Sequence, residues 1–217
     1  SKKIEKPMIV IDSGFSGEAN LQKLREMGYD YIAIGRRPTR IAYEDDFNNK
    51  QFRKISGREG KEPVCIAFRD EENERVVLCH SEARGEKEKG MLSSAEKRFL
   101  KDIEKLSKRL AKGGLKKESA ANQALGRIRE RHSRVTRYYE LLISVQDDGK
   151  HALSCKRLDE EYLKAERICG SYYMRCSRKT LADEEIWKLY MMLTRVEAGF
   201  KTLKSDLGLR PIFHHRE

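Results

Sequence analysis

Two carboxylates, far apart in this 217-residue chain, stand where they can share one chemistry. Asp12 ends the short apolar run Met8-Ile9-Val10-Ile11. Glu197 lies among Ile186, Leu189, Leu193, Val196, Phe200, Leu203 and Leu207, which recur at three- and four-residue steps. That period is one buried face of a helix. An ionised carboxylate turned toward a core is costly unless a cation or a donor meets it, so a glutamate in this stripe asks for a partner. Carboxylates delivered by separate elements suit Mg2+, a hard ion that favours oxygen ligands. Two such ions about 3.5–4 Å apart can activate an attacking oxygen and stabilise a leaving one in phosphoryl chemistry. A third carboxylate is expected in such a cage, and no residue of this sequence marks itself as that ligand.

Plainer explanations stay open for both. Asp before Ser13-Gly14 commonly builds a turn or caps a helix. Glu197 can graze the stripe and pair with Lys201 at i+4. A phosphohydrolase with a strand-end aspartate nucleophile would want a second aspartate two residues on, and Gly14 stands there. His132, His151, His214 and His215 show no metal-ligand spacing. The five cysteines contain no C-x-x-C pair and read as reduced thiols used as small hydrophobes.

The apolar run before Asp12 predicts a strand buried on both faces. A turn over 13–17 follows, then a helix from Glu18 to Met27 with Leu21, Leu24 and Met27 inward, stopped by Gly28, and a second strand from Tyr29 to Ile34. Such a crossover implies parallel pairing and puts Asp12 at the edge where open α/β sheets build their sites. Arg36-Arg37, after the second strand, suits either a phosphate contact or an exposed loop.

Beyond Gly35 the pattern changes. Strands are expected at Val64–Phe68 and Val76–His80, followed by a charged tract from Glu82 to Lys89. Ser93 and Glu96 form a capping-box pattern for a helix with Phe99, Ile103, Leu106 and Leu110 inward, ending at Gly113-Gly114. A second helix over Ser119–His132 and a hairpin around Asp147-Asp148-Gly149-Lys150 come next. A short helix over Asp159–Ile168 and a strand over Ser171–Cys176 close the segment. Thr180 is expected to cap the last helix, with Asp183 and Glu184 in its first turn. The fold class is α/β: a strand-helix-strand core over 1–35, a large mixed α+β insertion over 36–179, and a core helix over 180–217.

The net charge of +11 is concentrated, with 14 Lys+Arg against five Asp+Glu between Ser93 and Arg137. A basic tract of this kind points to a polyanion, held through phosphates without reading sequence, although any single lysine there suits an ordinary solvated face. Tyr138, Tyr139, Tyr172 and Tyr173 fit strands better than base-stacking platforms. No apolar run approaches the ~20 residues of a membrane span, and no signal peptide is visible. The chain starts without methionine and stops soon after a helix, so it is expected to be a piece of a longer protein.

The run Ile9-Val10-Ile11-Asp12-Ser13-Gly14-Phe15, with Asn20-Leu21 and Met27-Gly28-Tyr29-Asp30-Tyr31-Ile32, resembles the second-aspartate region of bacterial insertion-sequence transposases of the DDE type. Leu189-Tyr190 through Val196-Glu197-Ala198-Gly199-Phe200-Lys201-Thr202-Leu203-Lys204-Ser205-Asp206-Leu207-Gly208-Leu209-Arg210-Pro211-Ile212 is similar to that family's terminal-glutamate helix, and is the more specific match. The resemblance implies an RNase H-like core interrupted by a large insertion. It implies Asp12 and Glu197 as the second and last acidic residues, both ligating Mg2+ or Mn2+. Tyr190 and Lys204 match the signature seven residues before and after the glutamate, where Lys204 would approach a phosphate of the transposon end and Tyr190 the adjacent backbone. Leu193 occupies the family's arginine position, and Arg195 is too far around the helix to substitute simply. The first aspartate belongs on an earlier strand, so the chain is expected to be a carboxyl-proximal fragment, inactive alone.

The implied activity is metal-dependent cleavage of double-stranded DNA at transposon ends and strand transfer into target DNA. A homodimer in the active assembly, a bacterial cytoplasmic setting at the nucleoid, and no membrane association go with it. The alternative is a non-enzymatic DNA-binding protein acting through its basic helices.

Overall fold

The computed structural model describes residues 7–57, 60 and 62–205, the last two by their backbone alone. The strand-helix-strand unit forms as β1 (Ile9–Ile11), α1 (Glu18–Glu26) and β2 (Tyr31–Ile34). A 3-10 helix (Arg37–Tyr43) and α2 (Glu44–Asn49) lead to β3 (Arg53–Ile55), β4 (Val64–Asp70) and β5 (Arg75–His80). Then come α3 (Glu82–Ala111), α4 (Glu118–Arg131), α5 (Ser133–Thr136), β6 (Tyr139–Val145), β7 (His151–Arg157) and α6 (Asp159–Arg167). The chain closes with β8 (Ser171–Cys176) and α7 (Asp183–Ser205).

Two compact units result, Ser1–Glu82 with Ser171–Glu217, and Ala83–Gly170. The first holds a six-stranded sheet in the order β1-β2-β8-β5-β4-β3. β1 and β2 run parallel with Ile9 opposite Tyr31, and every other pairing is antiparallel. The expected insertion boundary, 36–179, therefore differs from the observed unit. β3, β4, β5 and β8 hydrogen-bond into the same sheet as β1 and β2, and 83–170 forms the second compact unit.

Alternation along the strands builds three layers. Tyr31 and Ala33 face Leu21 and Leu24 of α1, and Val76, Leu78 and Tyr173 face Tyr43, Phe47 and Phe52. On the opposite face Ile32, Val77, Cys79, Tyr172 and Met174 pack against Ile186, Trp187 and Tyr190 of α7. Burying one such aliphatic side chain completely, as with Ile186, stabilises by about 1.5–3 kcal/mol. α7 begins at Asp183 rather than at the expected cap Thr180. Asp183 accepts from the Glu184 N–H at 2.8 Å and pairs with Arg53.

A buried polar network fastens α1 to the sheet. Glu74 is 3% exposed and accepts from Arg175 Nε at 2.5 Å and from the Tyr31 hydroxyl at 2.9 Å. Arg175 also donates to Glu18 at 2.7 Å, Arg25 pairs with the other Glu18 oxygen, and Arg25 donates to the Tyr31 hydroxyl at 2.7 Å. Hydrogen bonds from Arg175 and then Arg25 hold the Glu18 carboxyl below the usual carboxylate range. Burial opposes the charge on Arg175, and its bonds to Glu18 and Glu74 outweigh that penalty.

In the second unit Phe99, Ile103, Leu106 and Leu110 of α3 pack on Ala121, Leu125 and Ile128 of α4 and on Leu141 of the β6–β7 hairpin. α3 starts at Glu82, eleven residues before the expected capping box. The tract Glu82–Lys89 lacks apolar periodicity and is held instead by polar contacts. Arg84 pairs with Glu88 at 3.0 Å, and the buried Glu88 accepts the Gly170 N–H at 3.2 Å. Across the other face of the core, His132 Nε2 meets Asp102 at 3.0 Å. The His132 bond first, then those from Lys105 and Arg131, hold the Asp102 carboxyl down to about 2. An unfolded aspartate titrates near ~3.9, so this contribution is complete above that pH and is lost as the pH falls toward the folded value. The melting temperature of the parent protein is expected to fall more steeply between about pH 4 and pH 2 than that of Asp102→Asn; parallel acid limbs would show that the contact does not stabilise.

No helix among the described residues is long and apolar enough to cross a membrane.

Candidate functional site

Ile11 lies opposite Ala33, so the parallel strands β1 and β2 release the chain at one end of the sheet. Asp12 emerges there from β1 and Gly35-Arg36 from β2. Asp12 Oδ1 accepts the N–H groups of Gly14 at 2.9 Å and Phe15 at 3.3 Å, which is the turn-forming role open in the sequence. Its second oxygen, Oδ2, makes no hydrogen bond among the described residues, and the side chain is exposed. One atom thus fixes the turn, and the other takes no part in it.

Ser16, 7% exposed, donates to the Ser13 carbonyl at 3.1 Å, and Arg36 Nε donates to the same carbonyl at 3.4 Å. The exposed Arg36 therefore lies against the Asp12 turn. Arg37 is exposed at the start of the 3-10 helix. Gly35 donates to the Tyr173 carbonyl at 2.8 Å, and a Cβ there would lie 2.0 Å from the Tyr173 ring. That ring has no room to move, being buried, bonded to Thr39 at 2.6 Å and packed on Tyr43. Only glycine lets the chain turn over this ring and bring Arg36 to the site.

α7 touches β1, the strand that ends at Asp12, through its covered first half. Glu197, however, is exposed and has no hydrogen bond or ion pair among the described residues. The expectation that it sits on a buried face is corrected. The apolar stripe is covered only through Leu193, while Val196, Phe200 and Leu203 are 53%, 59% and 42% exposed. The helix outruns the strands that cover its first half. Desolvation therefore gives Glu197 no need of a cation here, and the i+4 pair with Lys201 does not form either. Leu207 lies outside the described residues.

Tyr190 is 8% exposed within the main core, two turns before Glu197. The Lys204 backbone continues the helix, and its side chain lies outside the described residues. Asp12, Arg36 and Glu197 are thus on elements that meet, and Tyr190 anchors the helix. Among the described residues no group of three or more His, Cys, Asp or Glu is arranged to hold a metal.

Sequence reasoning did not anticipate the Glu18–Arg175–Glu74 network that seats α1 just after the Asp12 turn. One signal was present, since Arg175 is the lone charge in the otherwise buried strand β8.

Asp12 thus stands at the carboxyl end of a strand in a parallel crossover, the edge where open α/β sheets usually bind ligands. The transposase DDE domain family matches residues 2–216, and the chain belongs to that family. No curated protein and no solved structure matches it. Membership supports a transposase function; the family in general acts on DNA as nuclease and transesterase and uses divalent metals such as Mg2+.

Proposed function

We propose that this chain supplies Asp12 and Glu197 as ligands for Mg2+ or Mn2+ in cleaving double-stranded DNA at transposon ends and transferring the freed strand into target DNA. The observation that carries this is that Asp12 Oδ2 and the Glu197 carboxylate both lack a partner among the described residues and belong to segments of elements in contact, β1 and α7. Two exposed carboxylates are suitable donors for a hard cation. A bound ion would supply charge neutralisation at the phosphate and a more acidic water.

The protein's part is positioning. Asp12 is fixed by its own turn, Arg36 is placed to meet a phosphate beside it, and Arg37 lies one residue further on. Lys204 would reach a phosphate from the α7 side. For Tyr190 the role is narrower than direct DNA contact, because its buried ring fixes the helix that presents Glu197. A water attacks the phosphodiester at the element's end and releases a 3′-hydroxyl, which then attacks a target phosphodiester, so that one bond breaks for each that forms.

A third carboxylate would come from outside the described residues. We read the chain as the carboxyl-proximal part of an RNase H-like core, inactive alone. This is supported by the outer edge of β1, which pairs with no strand among the described residues, and by the exposed Val196, Phe200 and Leu203, which further strands would cover. A homodimeric assembly at the bacterial nucleoid belongs to the same proposal. The alternative, a DNA-binding protein without catalysis, has no use for the two carboxylates and is not favoured by the family. The test is strand cleavage by the complete catalytic domain on duplex DNA carrying element ends. Nicking in Mg2+ that stops on chelation is expected, and nicking unaffected by chelation would overturn the proposal.

A further inference from the structure

Within the unit Ala83–Gly170, α3 turns Phe99, Ile103, Leu106 and Leu110 inward, which leaves its opposite side to solvent. At 100° per residue that outer side carries Lys97, Lys101, Lys105 and Lys108, with Arg98 on its flank and Lys112 in the turn that follows the last helical residue, and all six are exposed. From Lys97 to Lys112 the row is about 22 Å long at 1.5 Å per residue.

A charged helix face is ordinarily laced by opposite charges at i+3 and i+4. Here the lacing is deficient. Lys105 pairs with Asp102 at 3.3 Å and Lys108 with Glu104 at 2.5 Å, but Asp102 also serves His132 and Arg131. Glu96, the remaining carboxylate of this stretch, is taken by Tyr139, Tyr162 and Arg157. Lys97, Lys101 and Lys112 have no partner among the described residues, and Lys97–Lys101–Lys105 and Lys108–Lys112 are like-charge neighbours at i+4. Such spacing works against the helix. A row of cations at one-turn intervals is, in contrast, matched to the closely spaced phosphates of duplex DNA, whose binding releases condensed counterions.

We infer that the outer face of α3 is a sequence-independent docking surface for the phosphate backbone of double-stranded DNA. It is distinct from the carboxylates at the end of β1 and on α7. The inference rests on the transposase reading for its choice of polyanion, and its test needs no catalysis.

The complete chain is titrated with random-sequence duplex in EDTA across a range of NaCl concentrations, following fluorescence anisotropy. The quadruple variant K97Q/K101Q/K108Q/K112Q is expected to reduce the slope of log Kd against log[NaCl] by about three, and to weaken low-salt binding at least about tenfold. The matching Lys→Arg variant should keep the parent slope, which separates lost charge from lost fold. A control, K23Q/K54Q/K188Q on the other unit, should change the slope little. An unchanged slope in the quadruple Gln variant, an equal loss in the control, or tighter binding to anionic vesicles than to duplex would each overturn the surface. Failure of the metal assignment would appear only in cleavage and would leave these slopes as expected.

Discussion

Asp12→Asn and Glu197→Gln are each expected to lower strand cleavage by the complete catalytic domain at least about 100-fold, because even residues that merely support metal ligands cost 10–100-fold when changed. Both substitutions keep size and shape and remove the charge a divalent ion requires. Asn at position 12 retains a carbonyl oxygen to accept the Gly14 and Phe15 N–H groups, so the turn survives. Glu197 is exposed and has no partner among the described residues, and its replacement should change stability by no more than about 0.5 kcal/mol. The loss therefore falls on the chemical step, with duplex affinity and melting temperature close to the parent's. Near-normal cleavage by either variant would remove that residue from the site.

Glu74→Ala should be the most damaging single change to the fold of the sheet unit, at about 3 kcal/mol or more. Breaking a buried ion pair leaves the surviving charge without its partner in a medium that solvates it poorly. Glu74 is 3% exposed and Tyr31 fully buried, so the Tyr31 hydroxyl loses its acceptor where water does not reach, and the half-buried Arg175 Nε loses its acceptor as well. Arg175 keeps Glu18, which places the loss toward the lower end of the range for buried pairs. Glu74→Gln, which keeps an acceptor oxygen, should cost less. Replacing the pair together, Glu74→Leu with Arg175→Leu, should recover part of the loss. Denaturant unfolding of the four proteins measures this, and a Glu74→Ala loss below about 0.5 kcal/mol would mean that the network does not hold α1 in place.

Much of the architecture was legible because it is written in local patterns. The run before Asp12, the 4-3-4 stripe of α3 and the Asp-Gly turn of the β6–β7 hairpin all declare their elements through short-range spacing. What escaped is non-local or polar. β3, only three residues long with two of them exposed, is a strand because β4 pairs with it. The amino-terminal turns of α3 are held by Arg84, Glu88 and the Gly170 N–H rather than by an apolar face.

For the proposed site, the elements that carry the residues were legible and their environment was not. Asp12 lies at the end of β1 as its pattern implies. The stripe around Glu197 follows a helical period, but periodicity tells which residues share a face, and only the strands beneath α7 decide how far that face is covered. Past Leu193 they cover none of it completely, and Glu197 stands in solvent.

Replacing Mg2+ by Fe2+ and generating hydroxyl radicals at the bound ion cuts the backbone beside whichever residues hold the metal. If Asp12 and Glu197 share an ion, cuts fall near both positions in the complete catalytic domain, fade with excess Mg2+, and disappear together in Glu197→Gln. Cuts at other positions, or cuts at residue 12 that persist unchanged in Glu197→Gln, would contradict a shared metal.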